Sequence, residues 1–300
     1  MTMSRRGLLA APLLLPSVAI AQSWRSSFPE LTFAVIPAEN ASGVNDRYAP
    51  FITYLTNALG TKVTLRVAND YAAVIEGQRA GNIHIGYYGP SAYARALMTG
   101  AQVEAVAIEV NEDGTKGYYS VFYVKKDRAF HTVQDLRGKN LGLVDPNSTS
   151  GNNVPRFALN KMGINPEQFF GRVVYTGSHE NAIIALQQGT VDMAANWWND
   201  EAESNLMRME RKGMAKYADY RIVFKSDQIV NSPIAMLSTL PAELRTAIRQ
   251  AILAFPQREA AAFTRMTDGK QKPWEAVTNA AYDPIIELNR FVDGLRRQRG

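Results

Sequence analysis

The chain contains no cysteine. Disulfides, thiol catalysis and Cys-ligated metals are therefore excluded. Only three histidines are present, His84, His131 and His179, and none has a His-x-x-x-His partner. No metal and no cofactor is expected on that basis. No cluster of Lys and Arg with interleaved aromatics occurs, so nucleic acid is not an expected partner. After residue 21 no stretch is apolar enough to span a bilayer.

What is present is a folded chain of 300 residues, long enough for two units with separate cores. Its first residues read as an address. Ser4-Arg5-Arg6-Gly7 is a basic start, Leu8 to Val18 a short apolar core, and Ala19-Ile20-Ala21 a small-x-small cleavage site. Residues 1–21 are thus expected to be a signal peptide, of the Sec or twin-arginine type, and the mature protein is expected in the periplasm. The formal charge of +5 includes Arg5 and Arg6, and removing two positive charges leaves +3. The basic balance is therefore no argument for an anionic polymer.

The most informative run is Asp145-Pro146-Asn147-Ser148-Thr149-Ser150-Gly151-Asn152-Asn153-Val154-Pro155. A short apolar strand, Asn140 to Val144, reads into it and a helix, roughly Val154 to Met162, reads out. The first N–H groups of a helix lack intrahelical partners and, with the positive end of the macrodipole, favour an anion. Ser148, Thr149 and Ser150 can add hydroxyl donors, and Gly151 lets backbone approach closely. Pro155 is tolerated only in a first helical turn, so the helix starts a few residues earlier. Taken alone, the run fits an ordinary Ser/Thr cap as well as an anion cradle. It lacks the Gly-Lys-Ser/Thr of a Walker loop. It also lacks a Gly-x-Ser-x-Gly elbow or a Ser-x-x-Lys pair, so an enzyme acting through these serines is not expected.

The chain in order alternates strand and helix. Strands are expected at Leu31–Ile36, Lys62–Val67 and Ile83–Tyr88, with helices at Tyr48–Leu59, Tyr71–Ala80 and Ser91–Met98. Strands at Val103–Glu109 and Tyr118–Val124 lead to a second unit. There a strand surrounds Leu141, a helix follows Ser150, a strand covers Val173–Tyr175, and a helix Ser178–Gln188 precedes a strand Val191–Ala195. Asn196 to Asp200 is read as following that strand. Arg208 to Lys212 is read as a solvated helix face. Strands at Arg221–Phe224 and Ile234–Leu237, the latter rejoining the first unit, precede helices Pro241–Phe255 and Ala276–Arg299. This order implies an α/β fold with parallel strands and right-handed crossovers. Two such units joined by extended crossovers imply a cleft that closes by hinge motion.

The Asp145–Gly151 run closely resembles the signature of the phosphate/phosphite/phosphonate substrate-binding proteins of ABC importers. Asp70–Gly77, Ile85–Pro90 and Ser178–Asn181 with Val191-Asp192 agree in type and order, and the resemblance covers about Leu31 to Leu237. It implies a two-lobed type II periplasmic binding protein fold. Residues 22–121 and 226–300 would form lobe 1, and 122–225 lobe 2. It also implies a non-enzymatic protein that captures a small phosphorus oxyanion (phosphonate, phosphite or phosphate) and delivers it, as a monomer, to an inner-membrane permease. Ser148, Thr149 and Ser150 would hold the oxyanion, Tyr88 or Tyr118 would donate a phenolic hydroxyl, His179 an imidazole hydrogen bond, and Tyr71 would line the pocket.

Relatives that bind aminoethylphosphonate pair its ammonium with two carboxylates. The matching positions here are the amides Asn199 and Asn231, with Asp200 one residue off. An ammonium between two amides lacks charge partners, so a primary-amine phosphonate is not the expected ligand. Trp197 and Trp198 would either shrink the pocket toward small anions or form a cation–π wall for an N-methylated aminophosphonate. A binding module feeding a periplasmic sensor is the alternative role.

Overall fold

The structure is a computed structural model that describes residues 23–39 and 41–297. The expected signal peptide and its cleavage site lie outside the described residues. After a short helix α1 (Ser23–Ser27), the chain builds β1 (Glu30–Val35), α2 (Ala41–Leu59), β2 (Lys62–Val67), α3 (Tyr71–Arg79), β3 (Ile85–Tyr87), α4 (Pro90–Met98) and β4 (Val103–Asn111). It then crosses to β5 (Gly117–Lys125), β6 (Asn140–Leu143), α5 (Val154–Lys161), α6 (Pro166–Phe169), β7 (Arg172–Tyr175), α7 (His179–Gln187), β8 (Met193–Asp200), β9 (Glu203–Ser204), α8 (Asn205–Arg211) and β10 (Tyr220–Lys225). It returns through β11 (Ile229–Val230) to β12 (Pro233–Leu237), α9 (Ala242–Arg258), α10 (Ala260–Met266), β13 (Gln271–Ala276) and α11 (Asp283–Arg297).

Two sheets result. The first runs β13-β4-β12-β3-β1-β2 and the second β10-β5-β8-β6-β7. In each, three strands from βαβ units are parallel, and the strand that has just crossed over inserts antiparallel. β12 enters between β3 and β4, and β5 pairs with β8 and β10. This is the two-lobed α/β build expected from the strand–helix alternation. Helix starts are set locally: the Asp70 carboxylate accepts from the Ala73 amide, the Ser178 hydroxyl from Asn181 and the Ser204 hydroxyl from Met207.

Two expectations fail at the sheets. β8 extends to Asp200 because β5 supplies partners beyond the reach of β6, pairing Trp198 with Tyr119 and Trp197 with Ser120. Residues 196–200 are thus strand, not a following loop. Near the C-terminus, the helix read from Ala276 begins only at Asp283, because Gln271–Ala276 is drawn onto β4 as an antiparallel edge strand.

α11 spans both lobes. Its Asn289 donates to the Ser91 carbonyl and accepts from the Asn153 amide, Asp293 forms a bidentate pair with Arg95 on α4, and Phe291 packs on Phe157 of α5.

Candidate functional site

The carboxyl ends of the parallel strands of both sheets face one another, where ligands of such sheets bind. A cavity of about 110 Å³ lies there. Drug-sized pockets run to about 300–1,000 Å³, so this one suits a small molecule. From the first lobe, Glu39 follows β1, Arg47 sits on α2, Tyr71 opens α3, Tyr87 ends β3 and Gly89 precedes α4. From the second come the 148–150 run, His179, Trp197, Asn199 and Arg208, while Glu109, Tyr118 and Asn231 stand at the crossings and Gln271 opens β13.

The 148–150 run follows β6 and leads into a single π-helical stretch, Thr149–Asn153, before α5 begins at Val154. Such wide turns recur at functional sites. The Ser148 hydroxyl caps it by accepting from the Gly151 amide at 3.1 Å. Gly151 is required, since a Cβ there would stand 2.4 Å from Val144. All three hydroxyl residues are buried. The Tyr71 hydroxyl lies beside Ser148, and the Tyr118 hydroxyl beside Thr149 and Ser150. Thr149 Oγ1 accepts the Ser91 amide at 2.8 Å from the other lobe, which leaves its own proton to donate.

His179 is the first residue of α7, and its amide donates across the cleft to the Ala38 carbonyl at 3.2 Å. The imidazole is buried, lines the cavity and has no hydrogen-bond partner at Nδ1. Burial pushes its pKa down to about 4, against smaller upward pulls from Asn196 and Glu39. It is therefore neutral near pH 7 in the free protein. A bound dianion at Nδ1 favours the protonated ring, so binding takes up protons between about pH 4 and the raised pKa. Calorimetry at pH 6 in two buffers of different ionisation heat should show more proton uptake for wild type than for His179→Gln. Equal uptake would remove His179 from the anion site.

A desolvated ion-pair network crosses the cleft. Glu39 in the first lobe accepts from Arg47 at 2.6 Å, and from Arg208 at 3.2 Å and Lys212 at 3.0 Å in the second. Burial pushes the Glu39 carboxyl up, but the three cations together outweigh it and hold it at about 2. Burial likewise opposes the charge on Arg208, but Glu203, Glu39 and Asp268 outweigh it and its pKa stands above the usual value. The reading of Arg208–Lys212 as a solvated helix face is thereby corrected. Arg208 is a cavity-lining cation that joins the lobes, and the site is not built of neutral donors alone.

Placement of the other expected residues follows the pleat, which alternates side chains between faces. Trp197 and Asn199 line the cavity, whereas Trp198 does not and packs on Tyr119 at 5.7 Å between centroids. Lys225 lies over Trp198 at 4.0 Å and Arg208 over Trp197 at 4.9 Å, so cations of the protein itself occupy these rings. Tyr88 is also displaced from its expected role. Its hydroxyl donates to Gln78 Oε1 at 2.7 Å inside the first lobe, and Tyr87 takes the cavity position. Among the described residues no group of three or more His, Cys, Asp or Glu could hold a metal, and no helix is long and apolar enough to cross a membrane.

Two lobes that close over a small, polar, cation-edged cavity define a solute-binding protein. The comparisons agree. Residues 33–282 match the family of ABC transporter, phosphonate, periplasmic substrate-binding proteins, and the chain belongs to that family. It is a binding component of a transporter, not an enzyme. A phosphate-import protein of Mycolicibacterium smegmatis is 32% identical over 72% of this chain and 69% of its own length. A phosphonates-binding periplasmic protein of Escherichia coli is 30% identical over 90% and 79%. The crystal structure of a binding component of an ABC phosphonate transporter from Pseudomonas aeruginosa superposes with a TM-score of 0.79 at 26% identity, covering 88% of this chain and 86% of that one.

Proposed function

We propose that this protein captures a small phosphorus oxyanion, a phosphonate, phosphite or phosphate, in the inter-lobe cavity and delivers it as a periplasmic monomer to an ABC permease. The observation that carries the reading is the convergence of three consecutive hydroxyls, Ser148, Thr149 and Ser150, with Tyr71, Tyr118 and the unpartnered imidazole of His179. Every one of those groups can donate to a tetrahedral anion, and Arg47 and Arg208 supply positive charge at the rim. The names of the two curated relatives, phosphate import and phosphonate binding, support the same chemistry.

A thermal-shift panel tests it. Phosphate, phosphite, methylphosphonate, aminoethylphosphonate and its N-trimethyl form are each added to the mature protein. A ligand at a hundredfold excess over its Kd should add about 2.7 kcal/mol of stability. Because Arg208 and Lys225 already lie over the tryptophans, the N-trimethyl compound is expected to shift least. No shift with any compound would refute the oxyanion reading.

A further inference from the structure

The cavity also carries a carboxylate, Glu109, that forms no ion pair among the described residues. Among the described residues, the ion-pair network joins four acids, Glu39, Glu180, Glu203 and Asp268, to four bases, Arg47, Arg208, Arg211 and Lys212. That network is neutral as a whole. Glu109 stands outside it and has no ion-pair partner among the described residues, although it lines the same cavity. Its Oε1 accepts from the Tyr87 hydroxyl at 2.7 Å and from Gln271 Nε2 at 2.7 Å. Both donors are neutral, and neither uses Oε2.

The neighbouring amides are fixed in orientation by a chain of hydrogen bonds. Asn111 Nδ2 donates to the Gly117 carbonyl at 2.7 Å. A carbonyl can only accept, so Asn111 must turn Oδ1 the other way. That oxygen receives Asn199 Nδ2 at 3.1 Å and Asn231 Nδ2 at 3.2 Å. Asn231 Nδ2 also donates to the Glu109 carbonyl at 3.0 Å, which fixes its orientation independently. Both N–H bonds of Asn231 Nδ2 and one of the two on Asn199 Nδ2 are thus directed inside the protein. Among the described residues the Oδ1 atoms of Asn199 and Asn231 receive no hydrogen bond, and both residues line the cavity. This end therefore offers mainly acceptors: two amide oxygens and one carboxylate without an ion pair, beside a single remaining N–H of Asn199. An alkylammonium is the complementary group, with three donors, one positive charge and no acceptor.

We infer that Glu109 is a specificity-determining residue that receives the ammonium of a zwitterionic ligand, whose oxyanion lies at Ser148–Ser150. The inference rests on the oxyanion reading above and names the ligand class within it. It reverses the expectation drawn from Asn199 and Asn231. The charge partner is still present, but it comes from the end of β4, where Glu109 and Asn111 share a face.

The test compares aminoethylphosphonate with methylphosphonate by titration calorimetry, on the mature wild type and on E109Q. The variant keeps an oxygen that can accept from Tyr87 and Gln271, and replaces the charged Oε2 acceptor with an uncharged NH2 donor. Wild type should prefer the amino compound by roughly tenfold to a hundredfold, the worth of one charge-assisted bond. E109Q should erase that preference, and should bind methylphosphonate no more weakly than wild type does, since a negative charge beside the oxyanion is removed. Tight methylphosphonate binding by wild type with no preference for the amino compound overturns the inference while the oxyanion reading stands. So does a preference that survives in E109Q, or an equal loss for both ligands. Failure of wild type to bind either compound overturns both readings, and the wild-type comparison decides even where the variant does not fold.

Discussion

Ser148→Ala combined with Ser150→Ala is expected to weaken binding of any phosphorus oxyanion by about 3–6 kcal/mol, since each lost charge-assisted hydrogen bond is worth roughly 1.5–3 kcal/mol. In a titration this is roughly two to four decades in Kd. The burial of both residues is what makes the loss large. Water cannot replace the missing hydroxyls, and the anion would be desolvated without compensation. Fold effects should be smaller but are not zero, because Ser148 also caps the turn by accepting from Gly151. Losing such a cap costs about 0.5–2 kcal/mol of stability. The single variant Ser150→Ala separates the two effects, since the bond that Ser150 gives the protein runs from Ser120 to its backbone carbonyl. It should lose affinity with little change in melting temperature. Undiminished affinity in the double variant would mean that the anion sits elsewhere.

What the sequence disclosed divides by the range of the interactions. The cradle was legible because its signals are local: a strand, three hydroxyls, a glycine that cannot carry a Cβ, and a proline fixing the first turn of α5. The strands and helices of both units followed from periodicity for the same reason. Tyr88 was misplaced by one residue, which in a pleated strand moves a side chain to the opposite face. Trp198 differs from Trp197 in the same way, and alternation along β8 could have found it. β13 and the true start of α11 needed β4 as a neighbour, which no local pattern announces. The ion pairs across the cleft were the least legible. Glu39 and Arg208 are 169 residues apart, and each looks like a surface charge in its own segment. Glu109 drew no notice either, because a carboxylate at a strand end is ordinary until its neighbours are shown to be neutral.

Arg208 carries the second large effect. It bonds Glu203 at 2.6 Å within its own lobe and Glu39 at 3.2 Å in the other, while its guanidinium covers Trp197. Arg208→Met keeps an apolar stem of similar reach and removes the charge. Breaking a buried pair from one side costs about 3–5 kcal/mol. The lower end applies here, because Arg47 and Lys212 still face Glu39, and Arg211 still faces Glu203. In a chain of this size about 3 kcal/mol corresponds to a drop of roughly 5 °C in Tm. The pH dependence has a definite sign. The Glu39 carboxyl is depressed to about 2, so its contribution is present above the ordinary carboxylate range and is lost as pH falls through about 2. With Arg208 gone the depression is smaller, so acidification should cost the variant less stability than wild type, and the loss should be complete at a higher pH. Because the pair joins the lobes, closure should suffer along with stability. Oxyanion affinity should fall even for a ligand that never touches the guanidinium, whereas Arg211→Met, whose pair across the lobes is with the exposed carboxylate of Asp268 and not with the buried Glu39, should lower Tm less and leave affinity nearly intact. Equal affinity losses in the two variants would show that Arg208 acts through general charge rather than by tying the lobes together.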